Sequence, residues 1–179
     1  MPKLIENVSG MLLEETGRQV AERGYAKTTV RSVASACGIA VGTVYNYYPS
    51  KEAMVGAFMA GDWRNTYAAM REGSRKGAEG CLRTVYDELV SFTRRHSALF
   101  SDPAAARAVS GAFLMRHRQL RDQLAEIIEP FAPSEDGFTA RFAAEALLVW
   151  TIADVPFDRI YRELGKLLSD QKEDPHEQL

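Results

Sequence analysis

The spacing of apolar residues constrains the fold of this chain more than any other feature of its sequence. Apolar side chains recur at steps of three and four residues along almost the whole chain, which is the period of an α-helix with one buried face. Glycine and proline interrupt the pattern, most clearly at Gly24, Gly38, Pro49 and Pro130. Because no segment shows the strict alternation of a half-buried strand, the sequence predicts an all-α protein.

The composition is that of an ordinary globular protein, with 46% hydrophobic and 26% charged residues. We expect no membrane contact, because no apolar run approaches the roughly 20 residues that cross a bilayer. The first residues lack the apolar stretch of a signal peptide, so we expect a cytoplasmic protein.

Cys37 and Cys81 have no cysteine or histidine at metal-binding spacing, and we expect buried thiols rather than a redox switch.

Charge is distributed unevenly along the chain. The formal net charge is −2, yet the first 51 residues carry six basic and four acidic side chains, which leaves +2 there and −4 in the remainder. No acidic residue occurs between Arg23 and Lys51. An acid-free segment in an otherwise acidic protein favours contact with phosphate groups, as in nucleic-acid binding.

Two short helices are predicted inside this acid-free segment. The first covers about 29–37, with Thr28 or Thr29 as its N-cap, and the second covers about 41–48. Gly38 supplies the sharp turn between them. Such a pair fits a helix-turn-helix, in which the second helix enters the major groove of DNA. The alternative is a helical hairpin that binds nothing.

Residues 24–52 also carry an ordered series of short motifs. These are Gly24-Tyr25, Thr28-Thr29, Val33-Ala34, Gly38-Ile39, Gly42-Thr43-Val44-Tyr45, Tyr47-Tyr48 and Ser50-Lys51-Glu52. The series resembles the TetR family of transcriptional regulators, and the resemblance fades after about Asp62. It implies a three-helix DNA-binding domain at 1–50 and a larger helical domain at 51–170 for ligand binding and dimerisation. Residues 171–179 are expected to be a polar tail.

The resemblance implies roles for individual residues. Thr28 is expected to contact DNA. The expected phosphate contacts are Thr29, Tyr45, Tyr47 and Lys51. The residues expected to face the groove are Val41, Gly42, Thr43 and Asn46. Phosphate contacts fix register and base contacts specify sequence. One departure is Ala40-Val41, where many members have a polar pair. Ala40 cannot cap the second helix, and Val41 can pack only on an apolar group such as a thymine methyl.

The C-terminal part has two helical segments with distinct apolar patterns. Residues 138–153 are apolar on more than one face, and the last helix has one clean apolar stripe. We expect both helices to form an interface with a second copy of the chain; alternatively, they close the core of a single chain. The expected interface residues are Phe142, Leu147, Trp150, Ile160, Leu164 and Leu168.

An effector pocket is expected among large adaptable side chains of the same part, although plain core packing is the alternative for each of them. The candidates are Met59, Trp63, Tyr67, Met70, Tyr86, Leu89, Phe92, Phe113, Met115 and Trp150. The three histidines, His96, His117 and His176, lie far apart, and no catalytic motif is present. We therefore expect no enzymatic activity, no cofactor and no metal.

Together these features predict a transcriptional repressor that binds a palindromic operator as a homodimer. A small hydrophobic effector would release it by moving the fourth helix, which begins at Lys51. The alternative is a helical partner-binding protein without a ligand response. A rival without any DNA role would fail to retard duplex DNA in a salt-dependent way.

Overall fold

The computed structural model of the chain describes residues 7–74, 77–132 and 134–169, and it leaves out the side chains of 106–115 and 169. All regular structure within these ranges is helical, as predicted. The helices are α1 Val8–Arg23, α2 Val30–Ala36, α3 Val41–Tyr47, α4 Lys51–Gly73, α5 Gly77–Arg95, α6 Ser97–Phe100, α7 Pro103–Ile128, α8 Phe138–Ile152 and α9 Phe157–Ser169, with a 3-10 turn at Glu129–Phe131. The predicted polar tail at 171–179 lies outside the described residues.

Glycine sets two of the predicted turns. Gly24 follows α1 with a φ of 79°, and Gly38 lies between α2 and α3 with a φ of 66°. These conformations cost glycine little because it has no Cβ. The sequence pattern does not reveal α6, because a single helical turn holds too few apolar residues to show a period.

The chain forms two compact units. The N-terminal unit consists of residues 1–64 and 94–113, and the C-terminal unit consists of residues 65–93 and 114–179. Helices α4, α5 and α7 each contribute to both units. The N-terminal unit therefore contains the whole of the predicted DNA-binding segment together with α6.

One cluster of buried apolar side chains joins the first four helices of the N-terminal unit. Leu12 of α1, Val33 of α2, Val44 of α3 and Met54 of α4 are all fully buried in it. Val44 is the buried residue of α3. Burying one valine contributes about 1.5–3 kcal/mol, so this side chain anchors a helix that otherwise faces outward.

The stripe of α9 closes the core of the single chain. Of the expected interface residues, Leu147, Ile160, Leu164 and Leu168 are buried within one copy. These four side chains therefore help to close the core of one copy, and Ile160 and Leu164 also line a groove between α8 and α9. Their contact with a second copy stays a prediction. Phe142 and Trp150 remain exposed, at 48% and 51%.

Leu164 and Leu167 of α9 provide a matched test of this packing. Leu164 is 3% exposed and Leu167 is 44% exposed. Leu164→Glu should unfold or strongly destabilise the chain, because an unpaired buried carboxylate costs several kcal/mol. Leu167→Glu should stay folded and helical. Circular dichroism and urea unfolding measure both, and a Leu164→Glu protein as stable as Leu167→Glu would contradict the packing.

Candidate nucleic-acid interface

Thr29 begins α2 and forms a reciprocal cap with Ser32. The Thr29 hydroxyl accepts from the Ser32 backbone N–H at 3.0 Å, and the Ser32 hydroxyl accepts from the Thr29 N–H at 3.0 Å. Thr29 is exposed. Since its oxygen acts as the acceptor inside the cap, the hydroxyl proton can be donated to a phosphate.

A buried amide supports this cap from α1. Gln19 is 1% exposed, and its side-chain N–H groups donate to the Ser32 carbonyl at 3.1 Å and to Glu15 at 2.6 Å. Its carbonyl accepts from the Ser32 hydroxyl at 2.6 Å. A satisfied buried network of this kind fixes relative positions firmly. Gln19 is not among the residues predicted from the sequence, although a glutamine on the inward face of α1 is a signal for such a role.

The outward residues of α3 include those expected to meet the groove. The exposed residues are Gly42, Tyr45, Asn46 and Tyr47, and the half-buried residues are Val41 and Thr43. A Cβ built on Gly42 would meet no described atom within 4 Å. The packing of the described residues therefore does not require glycine there.

Thr28 does not lie where a DNA contact was expected. It is fully buried, and its hydroxyl donates to the Gly24 carbonyl at 3.0 Å. The side chain therefore stabilises the turn before α2 and cannot reach a DNA phosphate in this structure. Thr29, the adjacent residue, is the N-cap.

Lys51 at the start of α4 is held against an aromatic ring. Its ammonium lies 3.7 Å from the centroid of the buried Tyr25 ring, a cation–π contact. The Tyr25 hydroxyl donates to Glu52 at 3.0 Å, and burial together with this bond raises the pKa of Tyr25 to about 12. Partial burial lowers the pKa of Lys51, while the carboxylates of Glu52 and Asp102 act in the opposite direction.

The start of α4 is capped by a side chain and the start of α3 is not. The Ser50 hydroxyl accepts from the Ala53 N–H at 3.1 Å. Ala40 occupies the N-cap position of α3 and makes no side-chain cap. The side chain of residue 40 therefore satisfies none of the first-turn N–H groups of α3, although the Thr43 N–H donates to the Ala40 carbonyl at 2.9 Å.

The expected pocket residues are not gathered in one described place. Trp63, Met70, Leu89 and Phe92 are buried, Met59, Tyr67 and Tyr86 are half-buried, and Phe113 and Met115 lie outside the described side chains. Met59 and Trp63 belong to the N-terminal unit, and the other described candidates belong to the C-terminal unit. Trp150 is exposed, so its assignment to an interior pocket is corrected.

Two grooves are outlined in the C-terminal unit. One, of about 450 Å³, is lined by Tyr67 and Arg71 of α4 and by Glu126 of α7, with the Tyr67 hydroxyl donating to Glu126 at 3.0 Å. The other, of about 490 Å³, lies between α8 and α9. Its lining includes Phe142, Trp150 and Leu164, so its wall is mostly apolar.

The described ranges also bear on metal sites, membrane-spanning helices and reactive thiols. No three His, Cys, Asp or Glu side chains there are grouped as metal ligands. None of the described helices is both long and apolar enough to cross a membrane. Cys81 is buried, which raises its pKa to about 11, and Cys37 is half-buried with a raised pKa. Both thiols are therefore expected to be unreactive.

Helices α1 to α3, with α2 capped by Thr29 and α3 facing outward, have the arrangement of a helix-turn-helix DNA-binding protein. Residues 12–58 match the family described as bacterial regulatory proteins, tetR family. The HTH-type transcriptional repressor KstR2 of Rhodococcus jostii is 33% identical over 97 residues, which cover 51% of this chain and 47% of the relative. The match thus spans about half the length of that curated protein. Residues 12–58 therefore carry the DNA-binding segment of the TetR family of bacterial regulatory proteins.

Solved structures agree with the fold. A transcriptional regulator from Rhodococcus sp. Rha1 aligns over 92% of this chain and 93% of its own, with a TM-score of 0.59 and 17% identity. The ketosteroid transcriptional regulator KstR2 of Mycobacterium tuberculosis aligns over 93% and 95%, with a TM-score of 0.51 and 22% identity. At these identities the likeness establishes the shared fold, an N-terminal helix-turn-helix followed by a helical domain.

The missing cap of α3 provides a test of its local geometry. Ala40 is exposed and has φ −62° and ψ 136°, an extended conformation suited to a capping serine. Ala40→Ser should stabilise the protein by about 1 kcal/mol and raise Tm by roughly 2–4 °C. Ala36→Ser, at the exposed end of α2, is the control and should not raise Tm. Thermal unfolding compares them; equal melting temperatures would show that residue 40 does not act as an N-cap.

Proposed function

We propose that this protein is a ligand-responsive repressor that binds a palindromic operator as a homodimer, with α3 in the major groove. The observation that carries the proposal is α3 itself, which is anchored by Val44 and exposes Tyr45, Asn46 and Tyr47 within an acid-free segment. Residues 1–50 would form the DNA-binding domain, and residues 51–170 would form the regulatory and dimerisation domain.

The contacts divide by chemistry. Thr29, Tyr45, Tyr47 and Lys51 offer donors to phosphates, and Lys51 adds the charge that makes affinity depend on salt. Asn46 and Thr43 carry the groups that hydrogen-bond base edges, since an asparagine amide can pair with adenine in the major groove. Val41 and Gly42 would give close apolar contact to the groove.

The regulatory half of the proposal concerns α4. This helix is continuous from Lys51 to Gly73, so a displacement of its later turns by a ligand would be transmitted to its first residue. A coupling of about 1–3 kcal/mol corresponds to a 5- to 150-fold loss of operator affinity. The repressor assignment follows the name of the Rhodococcus relative. The ketosteroid description of the mycobacterial relative favours a small hydrophobic effector here as well.

The dimer surface is proposed on the α8–α9 groove. Phe142, Trp150 and Leu167 are large apolar side chains that one copy leaves exposed, and contiguous patches of this kind mark interaction sites. A two-fold interface brings the same patch from both copies together, which suits a palindromic operator. Arg159 and Glu163 also line the groove, and they carry opposite charges suited to pairing across a two-fold axis.

Lys51 and Asn46 should respond differently to substitution. Lys51→Ala should weaken binding to all duplex sequences and lower the slope of log affinity against log salt by about one unit. Asn46→Ala should leave that slope unchanged. It should relax the sequence preference at one or two base pairs, where a true base contact contributes about 1–3 kcal/mol of discrimination against the wrong base.

Salt titrations and binding-site selection with both variants make the comparison. An unchanged slope for Lys51→Ala would remove it from the phosphate contacts. Recovery of the wild-type consensus with Asn46→Ala would show that Asn46 reads no base.

Trp150→Glu tests the dimer without unfolding the chain, because this side chain is exposed in one copy. It should be monomeric at micromolar concentration and lose most operator affinity, since a charge would be buried in the interface without a partner. Phe100→Glu is the control, as Phe100 is an exposed aromatic outside the groove, and it should remain dimeric.

Light scattering after size exclusion and gel-shift assays report the two properties. A Trp150→Glu protein that stays dimeric would place the interface elsewhere. A wild-type protein that is monomeric and binds one isolated half-site would contradict the dimer.

A further inference from the structure

His96 is a buried histidine at the junction between α5 and α6. It is 2% exposed, and its Nε2 lies 2.8 Å from Oδ2 of Asp62 on α4. An ionised carboxylate can only accept hydrogen bonds, so the imidazole Nε2–H is the donor. Arg95, the last residue of α5, donates from Nε to the same Oδ2 at 3.1 Å. All three residues belong to the N-terminal unit, so these bonds are tertiary contacts within it.

The ring of His96 is enclosed and uncharged at neutral pH. Burial lowers its pKa, although the bond to Asp62 acts in the opposite direction. Phe58 of α4 packs against the ring edge to face, with 5.2 Å between the ring centroids. Phe58 itself lies directly on α1, since a Cβ built on Gly17 would lie 2.5 Å from its ring. The imidazole is therefore placed where α1, α4 and the start of α6 meet.

The backbone of the same residue begins α6. The His96 carbonyl accepts from the Leu99 N–H at 2.9 Å and from the Phe100 N–H at 3.1 Å. Helix α6 is a single turn of four residues, which has too few internal hydrogen bonds to be stable without tertiary contacts. The bond from the His96 side chain to α4 therefore helps to decide where α6 lies.

Helix α6 is linked to the Lys51 site through Leu99. Leu99 is 4% exposed and belongs to an apolar cluster that also contains Val20, Tyr25 and Val55. The ring of Tyr25 carries the ammonium of Lys51 at 3.7 Å from its centroid. In a close-packed cluster the displacement of one side chain moves its neighbours. The position of α6 therefore bears on the position of Lys51.

We propose that His96 is a positioning residue for DNA binding. Its bond to Asp62 holds α6 against α4. Leu99 of α6 in turn keeps Tyr25 in place beneath the ammonium of Lys51. This inference rests on the proposed function, in which Lys51 contacts a phosphate. It assigns a role to a histidine that lies outside the helix-turn-helix and does not itself contact DNA.

Two substitutions of His96 separate its hydrogen bond from the packing of its ring. His96→Phe keeps an aromatic ring and removes the N–H donor. His96→Gln removes the ring and keeps a side-chain N–H group of similar reach. If the bond positions Lys51, operator binding should weaken by about tenfold in His96→Phe and stay close to wild type in His96→Gln. Ring packing alone predicts the reverse order.

Asp62→Ala removes the same bond from the side of α4. Asp62 is only half-buried, so this variant should fold and keeps the test decisive if His96→Phe does not. Removal of a negative charge would by itself strengthen DNA binding slightly, whereas loss of positioning weakens it. The sign of the effect is therefore informative.

Glu14→Ala is the matched control for charge. Glu14 is an exposed acid of α1 in the same unit, and its removal changes the net charge equally without touching His96. Its operator affinity should equal that of wild type or rise slightly. Asp62→Ala should bind about tenfold more weakly than this control.

A double-mutant cycle tests the route through Lys51. Adding His96→Phe to Lys51→Ala should weaken binding by less than adding it to wild type, because both substitutions act on the same phosphate contact. Equal losses in the two backgrounds would overturn the proposal, since His96 would then act on DNA binding by another route.

Imidazole NMR on the full chain reports the bond without DNA. In wild type, ¹⁵N spectra should show a proton on Nε2 of His96 that exchanges slowly with water, and Asp62→Ala should make this exchange fast. A folded His96→Phe protein with wild-type affinity, an Asp62→Ala protein that binds as tightly as Glu14→Ala, or a His96→Gln protein as weak as His96→Phe would overturn the proposal and leave the proposed function standing. Failure of the wild-type protein to bind duplex DNA in a salt-dependent way would overturn both.

Discussion

The burial of Val44 in the cluster formed by α1, α2 and α4 is the constraint on which the DNA-binding surface depends. It gives α3 one inward side chain and leaves the neighbouring positions exposed. A helix of seven residues is marginal without tertiary packing. Its orientation is therefore set by what Val44 contacts, and the same contact decides which residues face outward.

Polar contacts between distant parts of the chain then fix the details of this surface. Gln19 ties α1 to the cap of α2, and Tyr25 holds the ammonium of Lys51. Such satisfied networks add rigidity that apolar packing alone does not supply. Since the partners come from separate parts of the chain, the positions of Thr29 and Lys51, the proposed phosphate contacts, depend on residues outside α3.

The C-terminal unit illustrates the limit of pattern analysis. Leu164 and Trp150 both belong to apolar stretches, yet Leu164 is buried in one chain and Trp150 is exposed. A helical stripe shows that a face is covered but not what covers it. The roles of the residues expected to line an effector pocket are ambiguous for the same reason. Met70 or Phe92 gives the same apolar sequence pattern whether it packs in a core or lines a pocket.

By itself, the sequence determined the all-α class, the helix-turn-helix with the approximate ends of its two short helices, and the resemblance of residues 24–52 to the TetR family, because spacing, glycine turns and caps act within a few residues of chain. It also identified Ala40 as a residue that cannot cap α3. Only the tertiary structure decided that Thr28 turns inward and that α9 closes its own core. These outcomes depend on which distant surfaces meet, and short-range periodicity carries no information about that.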